Sequence, residues 1–390
     1  MSLQDFERYA TNVISILRKE APKEAIIVHH DDADGLCSAA ITQKALEREG
    51  IKTKIFCLEK VYAEVIEDVH LKTGQTIFYV DIGSSHADLI SEFNKGRNLT
   101  IILDHHDPKV SKDPKVLDLN LENFGFRGET DFSGATCCYL FVKALSRDNS
   151  DLGYLALVGS CEIPEGFKAI NRIVLEESLK AGIVQKKGKN FEITQLKVNV
   201  DNLFSKLQIL GAAGYYEDGP DLGIRACIEG IDPEIEKKIN VLERRRKEAN
   251  RKLLGMLYRE RLKETERIQW FDAGDTYAGM GTKVIGQFCS FLSYQARLIK
   301  PNKYILGFVN VPPEIPKWGK LKEKFVKASV RVPKTMQQLI DSRKLPGAVN
   351  LLEKASEGFG MADGHQYAAN VVLPANRKME ILENAERIIK

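Results

Sequence analysis

The sequence predicts an α/β protein: a doubly wound parallel sheet first, then a charged helical spacer, then a smaller α/β domain. Three observations carry this. From about residue 25 to 175, short apolar runs alternate with helical segments, the pattern of parallel sheets covered on both faces. Three of those runs end in carboxylates and histidines: AIIVHHDDADG (25–35), TIFYVDIGSS (76–85) and LTIILDHHDP (99–108). A stretch dense in Glu, Lys and Arg over 231–268 then precedes a region ending in a Gly-rich tract, SEGFGMADGHQYAANVVLP.

Taken in order, residues 1–20 read as a mixed-charge amphipathic helix rather than a signal peptide. Strand AIIVHH leads into helix GLCSAAITQKALEREG. Strand KTKIFCL, helix AEVIEDVHL, strand TIFYVD, helix HADLISEFNK and strand LTIILD follow. The strands are short, rich in β-branched residues and closed by turn chemistry. Helices GATCCYLFVKALS and LGYLALVGSC come next, the first with Ser133 as a plausible N-cap. In the spacer, Ile235, Ile239, Leu242, Leu253, Leu257 and Leu262 recur at roughly helical spacing, as in one long charged helix or a helical pair. It reads either as a solvated helix packed by a thin stripe or as an arm for oligomerisation or partner docking. Beyond 269, KYILGFVNV and FVKASVRVP read as strands. The domain organisation is therefore 1–230, 231–268 and 269–390.

With 390 residues, more than one core is expected. Charged residues make up 28% and hydrophobic ones 43%, ordinary for a globular protein. The net charge of +3 means that nucleic-acid binding needs a local basic face. No apolar stretch is long enough to span a bilayer, so a cytoplasmic protein is expected. Seven scattered cysteines without a CxxC pair read as buried thiols.

The polar bursts carry the chemistry. Groups at the carboxyl ends of parallel strands converge where open α/β sheets bind ligands. Asp and His gathered there suit paired divalent cations. One Asp at a strand end usually caps a helix or a turn; three such clusters in one alternating region are hard to explain by capping. Asp32 and Asp34 then face one metal each, and Asp81 bridges them. His105 ligates the second, Asp104 orients the histidines, and His106 meets a phosphate. Mn²⁺ is preferred because it tolerates imidazole; Mg²⁺ is possible.

HHDDADG, DIGSS and DHH, followed by SGAT and ALVGS, resemble the ordered motifs of the DHH phosphoesterase superfamily. ASVR and GFGMADGHQYAA resemble the DHH-associated substrate-binding domain. Within the superfamily the chain is most similar to archaeal RecJ-like nucleases, including the Hef-associated type, over all but 176–268. The resemblance implies a DHH domain over 1–230 and a DHH-associated domain over 269–390. It implies a phosphodiesterase using two Mn²⁺ or Mg²⁺ ions, with His30, Asp32, Asp34, Asp81 and His105 as ligands and His106 on the scissile phosphate. Val28 stands where many relatives carry their first histidine, and Glu162 stands nearest to their final aspartate ligand. Arg331, Gly360, Gly364 and His365 match positions that hold the nucleotide phosphate or terminal sugar.

The activity so implied is exonuclease action on single-stranded DNA or RNA in repair or replication, with 3′→5′ polarity by resemblance. A repair helicase or replication factor is a possible partner, and 231–268 a possible homo-oligomer contact. Hydrolysis of oligoribonucleotides or cyclic dinucleotides is the nearest alternative. An inactive scaffold is another, opposed by the clustered like charges, which destabilise a fold that has no use for them. Trp270, Phe271, Tyr277, Tyr294, Tyr304 and Trp318 offer aromatic faces among basic residues, most of them expected in the core and one or two exposed for stacking. The tract 312–327 reads either as a strand contact or as a solvated loop and helix.

Overall fold

The structure, a computed structural model, describes residues 2–163 and 166–389. It forms two compact units, Met1–Gly211 with Asp218–Ile239, and Ala212–Glu217 with Asn240–Lys390.

The first unit opens with α1 (Leu3–Glu20), started by a reciprocal capping box between Ser2 and Asp5. A five-stranded parallel sheet follows, built from β1 (Glu24–His30), β2 (Lys52–Leu58), β3 (Thr76–Val80), β4 (Leu99–Leu103) and β5 (Val116–Asp118), in the order β2-β1-β3-β4-β5. Helices α2 (Ala33–Arg48), α3 (Ala63–Val69) and α4 (Ala87–Asn94) connect the strands. β3 and β4 are buried throughout, which is why they read as unbroken apolar runs. Then come α5 (Gly134–Leu145), α6 (Gly153–Gly159) and α7 (Ala169–Lys180). Ser133 caps α5 by accepting from the Thr136 N–H.

Two parts of this unit left no reading in the sequence. β5 is only three residues long. Residues 176–230 finish α7 and then form a small antiparallel sheet of β6 (Val184–Lys187), β7 (Asn190–Ile193) and β8 (Val198–Asn199), followed by α8 (Val200–Gln208) and α9 (Gly219–Glu229). A π-helical turn at Ile209–Ala213 follows α8. It brings Gly211 against Asp31, where an added Cβ would lie 2.9 Å from the Asp31 carbonyl carbon.

The charged segment is one helix, α10 (Pro233–Glu260), not a pair. Its Ile235, Ile239, Leu242, Leu253 and Leu257 are buried. Leu262 lies past its end, and residues 263–268 already begin a second sheet. That sheet runs β15-β16-β14-β11-β10-β9, from β9 (Lys263–Glu264), β10 (Ile268–Asp272), β11 (Tyr304–Asn310), β14 (Phe325–Arg331), β15 (Met361–Gly364) and β16 (Ala368–Pro374). A short hairpin, β12 (Glu314–Ile315) with β13 (Gly319–Lys320), lies between β11 and β14. Only β10 and β11 pair in parallel; the other neighbours are antiparallel. α11 (Lys283–Leu292), α12 (Gln337–Asp341), α13 (Ala348–Ala355) and α14 (Lys378–Ile389) complete the unit. Trp270, Phe271, Tyr277 and Tyr304 are core residues. Among the described residues no helix is long and apolar enough to cross a membrane.

Candidate metal centre

Strand register creates the site. His29 pairs with Val80 across β1 and β3, and Val80 with Leu103 across β3 and β4. The next residues, His30, Asp81 and Asp104, therefore leave three neighbouring strands side by side. The Asp81 N–H extends the ladder to the Leu103 carbonyl at 2.8 Å. In this strand order the chain leaves β1 for β2 on one side and returns to β3 on the other, so the crevice lies at the topological switch point.

Two donor groups form there. His30, Asp32 and Asp81 make one; Asp81, His105 and His106 make the other. Asp81 belongs to both. His30 Nδ1 is 2.8 Å from Asp32 Oδ2 and 3.6 Å from Asp81 Oδ2. His105 Nε2 is 3.5 Å from Asp81 Oδ1 and 3.9 Å from Asp34 Oδ2. Both Asp81 oxygens are buried with no hydrogen-bond partner. Burial, then the charges of Asp34, Asp32 and Asp104, pushes the Asp81 carboxyl well above the usual range. An unpaired buried carboxylate is costly, and cations held between these oxygens and the imidazoles would remove that cost. The donor set fits divalent ions that accept both oxygen and imidazole.

A surrounding layer fixes the ligands. Asp104 accepts from Ser84 N–H, His105 N–H and His106 N–H, and from His106 Nδ1 at 2.7 Å. Burial opposes its ionisation, but His106 and these donors hold it below the ordinary carboxylate range. The His105 Nδ1–H faces the Gly128 carbonyl at 3.0 Å, so the Nε2 lone pair points to Asp81 and Asp34. Glu122 in turn accepts from the Gly128 N–H at 2.8 Å, and Asn120 donates to the His106 carbonyl at 2.7 Å. Asp31 sets Oδ1 3.3 Å from His30 Nε2. His29 turns Nδ1 to the His30 carbonyl; it is His30 that enters the donor group.

Sequence reading named Asp104 for this layer but not Asp31, Asn120, Glu122 or Gly128. The last three lie in or near a single 3₁₀ turn, Leu121–Phe124, capped by Asn120 and too short to show a period, and only the fold brings them under the histidines. His106, assigned to the phosphate, also lies within a donor group, because Asp104 draws its ring beside His105. Asp34 spends both oxygens on the first amides of α5, accepting from Gly134 and Ala135 at 2.8 Å each. Glu162 is exposed and stands outside both groups, though its charge helps raise Asp34.

Residues 24–159 match the model of the DHH family, N-terminal domain. This segment is similar to the N-terminal domain of the DHH family. Its fold and that of the rest of the chain are found in RecJ from Thermus thermophilus in complex with Mn²⁺, at 18% identity and a TM-score of 0.65. The match covers 97% of this chain and 55% of that one, so the chain spans little more than half the length of that RecJ. A manganese-bound exonuclease RecJ matches at 17% identity and a TM-score of 0.62, covering 97% of this chain and 94% of that one. The DHH domain of a protein assigned to a family of ribosomal proteins matches at 16% identity and a TM-score of 0.61, covering 99% of this chain and 92% of that one. No curated protein sequence matches closely enough to count as a relative.

The buried acids of this site set the expected behaviour of the metal-free protein. Burial, then the Asp32 charge, lifts the Asp34 carboxyl to about 7, against the pull of the Ala135 amide. A carboxyl raised on folding adds stability below its unfolded pKa and loses that contribution as pH rises through the folded value, at most on the order of 4 kcal/mol. In EDTA, the melting temperature should fall between pH 5.5 and 8, and Mn²⁺ should restore more at pH 8 than at pH 5.5. An equal Mn²⁺ increment at both pH values contradicts a cation seated among these acids.

In the second unit, Arg331 ends β14 and donates from Nε to Ser290 Oγ at 2.8 Å. His365 follows β15, its N–H on the Ala368 carbonyl at 2.8 Å. Gly364 needs its glycine: φ is +123° and an added Cβ would lie 2.6 Å from the Ala369 Cα. Gly360 packs on Ser356 and Val371. Because Arg331 pairs with Ala368 across β14 and β16, the arginine and His365 share one end of this sheet.

Proposed function

We propose that the protein is a metal-dependent phosphodiesterase that removes nucleotides from an end of single-stranded DNA or RNA. The observation that carries this is Asp81, a buried carboxylate lacking hydrogen-bond donors and common to both donor groups. The similarity to the DHH family and a fold found in RecJ structures solved with Mn²⁺ or Mg²⁺ support the same reading.

Bound divalent cations would supply a water acidified toward neutrality and positive charge facing the phosphate oxygens. The chain's own part is positional. Asp81 gives one oxygen to each group, His30 and Asp32 complete one, and His105 and His106 the other. Asp104 holds the His106 proton on Nδ1, so the opposite nitrogen presents its lone pair. Asp34, tied to α5, sets negative charge behind His105. Arg331 and His365 are assigned to the phosphate or sugar of the terminal nucleotide.

The test is digestion of end-labelled DNA, RNA and short oligonucleotides with Mn²⁺, with EDTA as control. Stepwise shortening of strands from one end is expected. Hydrolysis confined to short oligonucleotides or cyclic dinucleotides would make the alternative substrate class correct. No hydrolysis of any of these by protein shown to bind Mn²⁺ would overturn the enzymatic reading.

A further inference from the structure

We infer that the exposed aromatic pair Phe291 and Tyr294, with the guanidinium of Arg297, is a stacking site for bases of a single nucleic-acid strand. The inference rests on the proposed function and specifies how that substrate is held away from its reacting end.

Trp270, Phe271, Tyr277 and Tyr304 of this unit are core residues, whereas Tyr258 of α10 is exposed but stands alone on its helix. Tyr294 is 83% exposed and Phe291 44% exposed. A lone exposed apolar side chain is common and means little. Here two rings stand one helical turn apart at the end of α11, since the Tyr294 N–H reaches the Phe291 carbonyl at 3.2 Å. Residues three apart on a helical turn share a face. Phe291 is anchored from below, its ring centroid 6.0 Å from that of buried Phe288, so it is a supported platform.

Charge complementarity selects the occupant. The turn continues to Arg297, which is exposed. Arg261 donates to the Arg297 carbonyl at 3.2 Å. Neither guanidinium has an acidic partner among the described residues. Ser290, which precedes Phe291 in α11, accepts from Arg331, the arginine assigned above to the terminal nucleotide. Aromatic faces flanked by arginines suit a strand with π-faces and regularly spaced phosphates. An apolar protein partner would leave the two arginines without counter-charges.

The experiment measures binding of fluorescently labelled oligo-dT of about twelve nucleotides, and of an abasic chain of equal length, by anisotropy in EDTA so that no hydrolysis intervenes. Tyr294→Ala and Phe291→Ala should each weaken oligo-dT binding between about fivefold and a hundredfold. They should weaken the abasic chain far less, and Tyr294→Trp should retain affinity. Arg297→Ala should weaken both chains alike and flatten the salt dependence. Unchanged melting temperatures establish that the variants are folded. Wild-type affinity of both alanine variants for oligo-dT overturns the inference, as does equal loss for the two chains. Loss of self-association with unchanged strand binding also overturns it and assigns the pair to a second copy. If the wild-type protein hydrolyses no strand yet shows this Tyr294 dependence, the enzymatic reading fails and the stacking site stands.

Discussion

Replacing Asp81 with alanine is expected to lower Mn²⁺-dependent hydrolysis by on the order of a thousandfold or more while leaving the protein folded. Two opposing effects set the stability. Asp81 adopts φ +58°, a left-handed conformation that costs alanine roughly 1–2 kcal/mol. Against that, the substitution removes two buried oxygens without donors and a charge that Asp34, Asp32 and Asp104 all oppose, a relief of a few kcal/mol at least. The metal-free variant should therefore melt at or slightly above the wild-type temperature. The gain on adding Mn²⁺ should largely disappear, because each donor group loses the member it shares with the other. Asp81→Asn keeps the shape and one acceptor oxygen without the charge, and should fall between the two. Titration calorimetry and thermal melts with and without Mn²⁺ separate these effects. Near-wild-type turnover of Asp81→Ala in manganese would remove Asp81 from the bridging position.

Much of this arrangement was legible in the chain because strands impose a simple rule. When parallel strands are buried on both faces, the first polar residue after each apolar run marks its carboxyl end, and neighbouring ends are neighbours in space. VHHDD, YVDIG and ILDHH therefore announced their convergence. Ser133 was legible for a related reason, since a hydroxyl before an apolar helical run satisfies a free amide. What stayed hidden has no local signature. The three residues of β5 are too few to show a period. Glu122 and Gly128 act on His105 through a carbonyl, a contact the side chains alone do not advertise. Asp31 sits inside the motif, but neighbouring Asp32 and Asp34 follow the spacing expected of ligands and draw attention from it. The role of His106 depended on ring placement, which strand register does not specify.

Close packing around the acids was the other hidden feature, and it gives a second large effect. Gly134 begins α5 directly against the site. A Cβ added there would lie 2.8 Å from both Cβ and Cγ of Asp81 and nearer still to one of its oxygens. Those atoms belong to a short side chain on a strand end fixed by the Leu103 carbonyl, so they cannot swing away as the tip of a lysine would. Gly134→Ala must therefore move either Asp81 or the first turn of α5, and that turn also holds Asp34 through its amides. Alanine is the better helix former by up to about 1 kcal/mol, but overpacking of this kind costs roughly 1–3 kcal/mol. Net destabilisation of about 1–2 kcal/mol is expected. The functional loss should be larger in proportion: an ångström of displacement in a reacting centre can cost on the order of a hundredfold. The variant should fold, bind Mn²⁺ more weakly, and turn over about a hundredfold more slowly. Ser133→Ala serves as the control, removing the cap of the same helix without entering the space of Asp81. It should lower stability by about 1 kcal/mol with a far smaller effect on turnover. If the two variants lose activity equally, integrity of the helix start, and not the space around Asp81, is what the site requires.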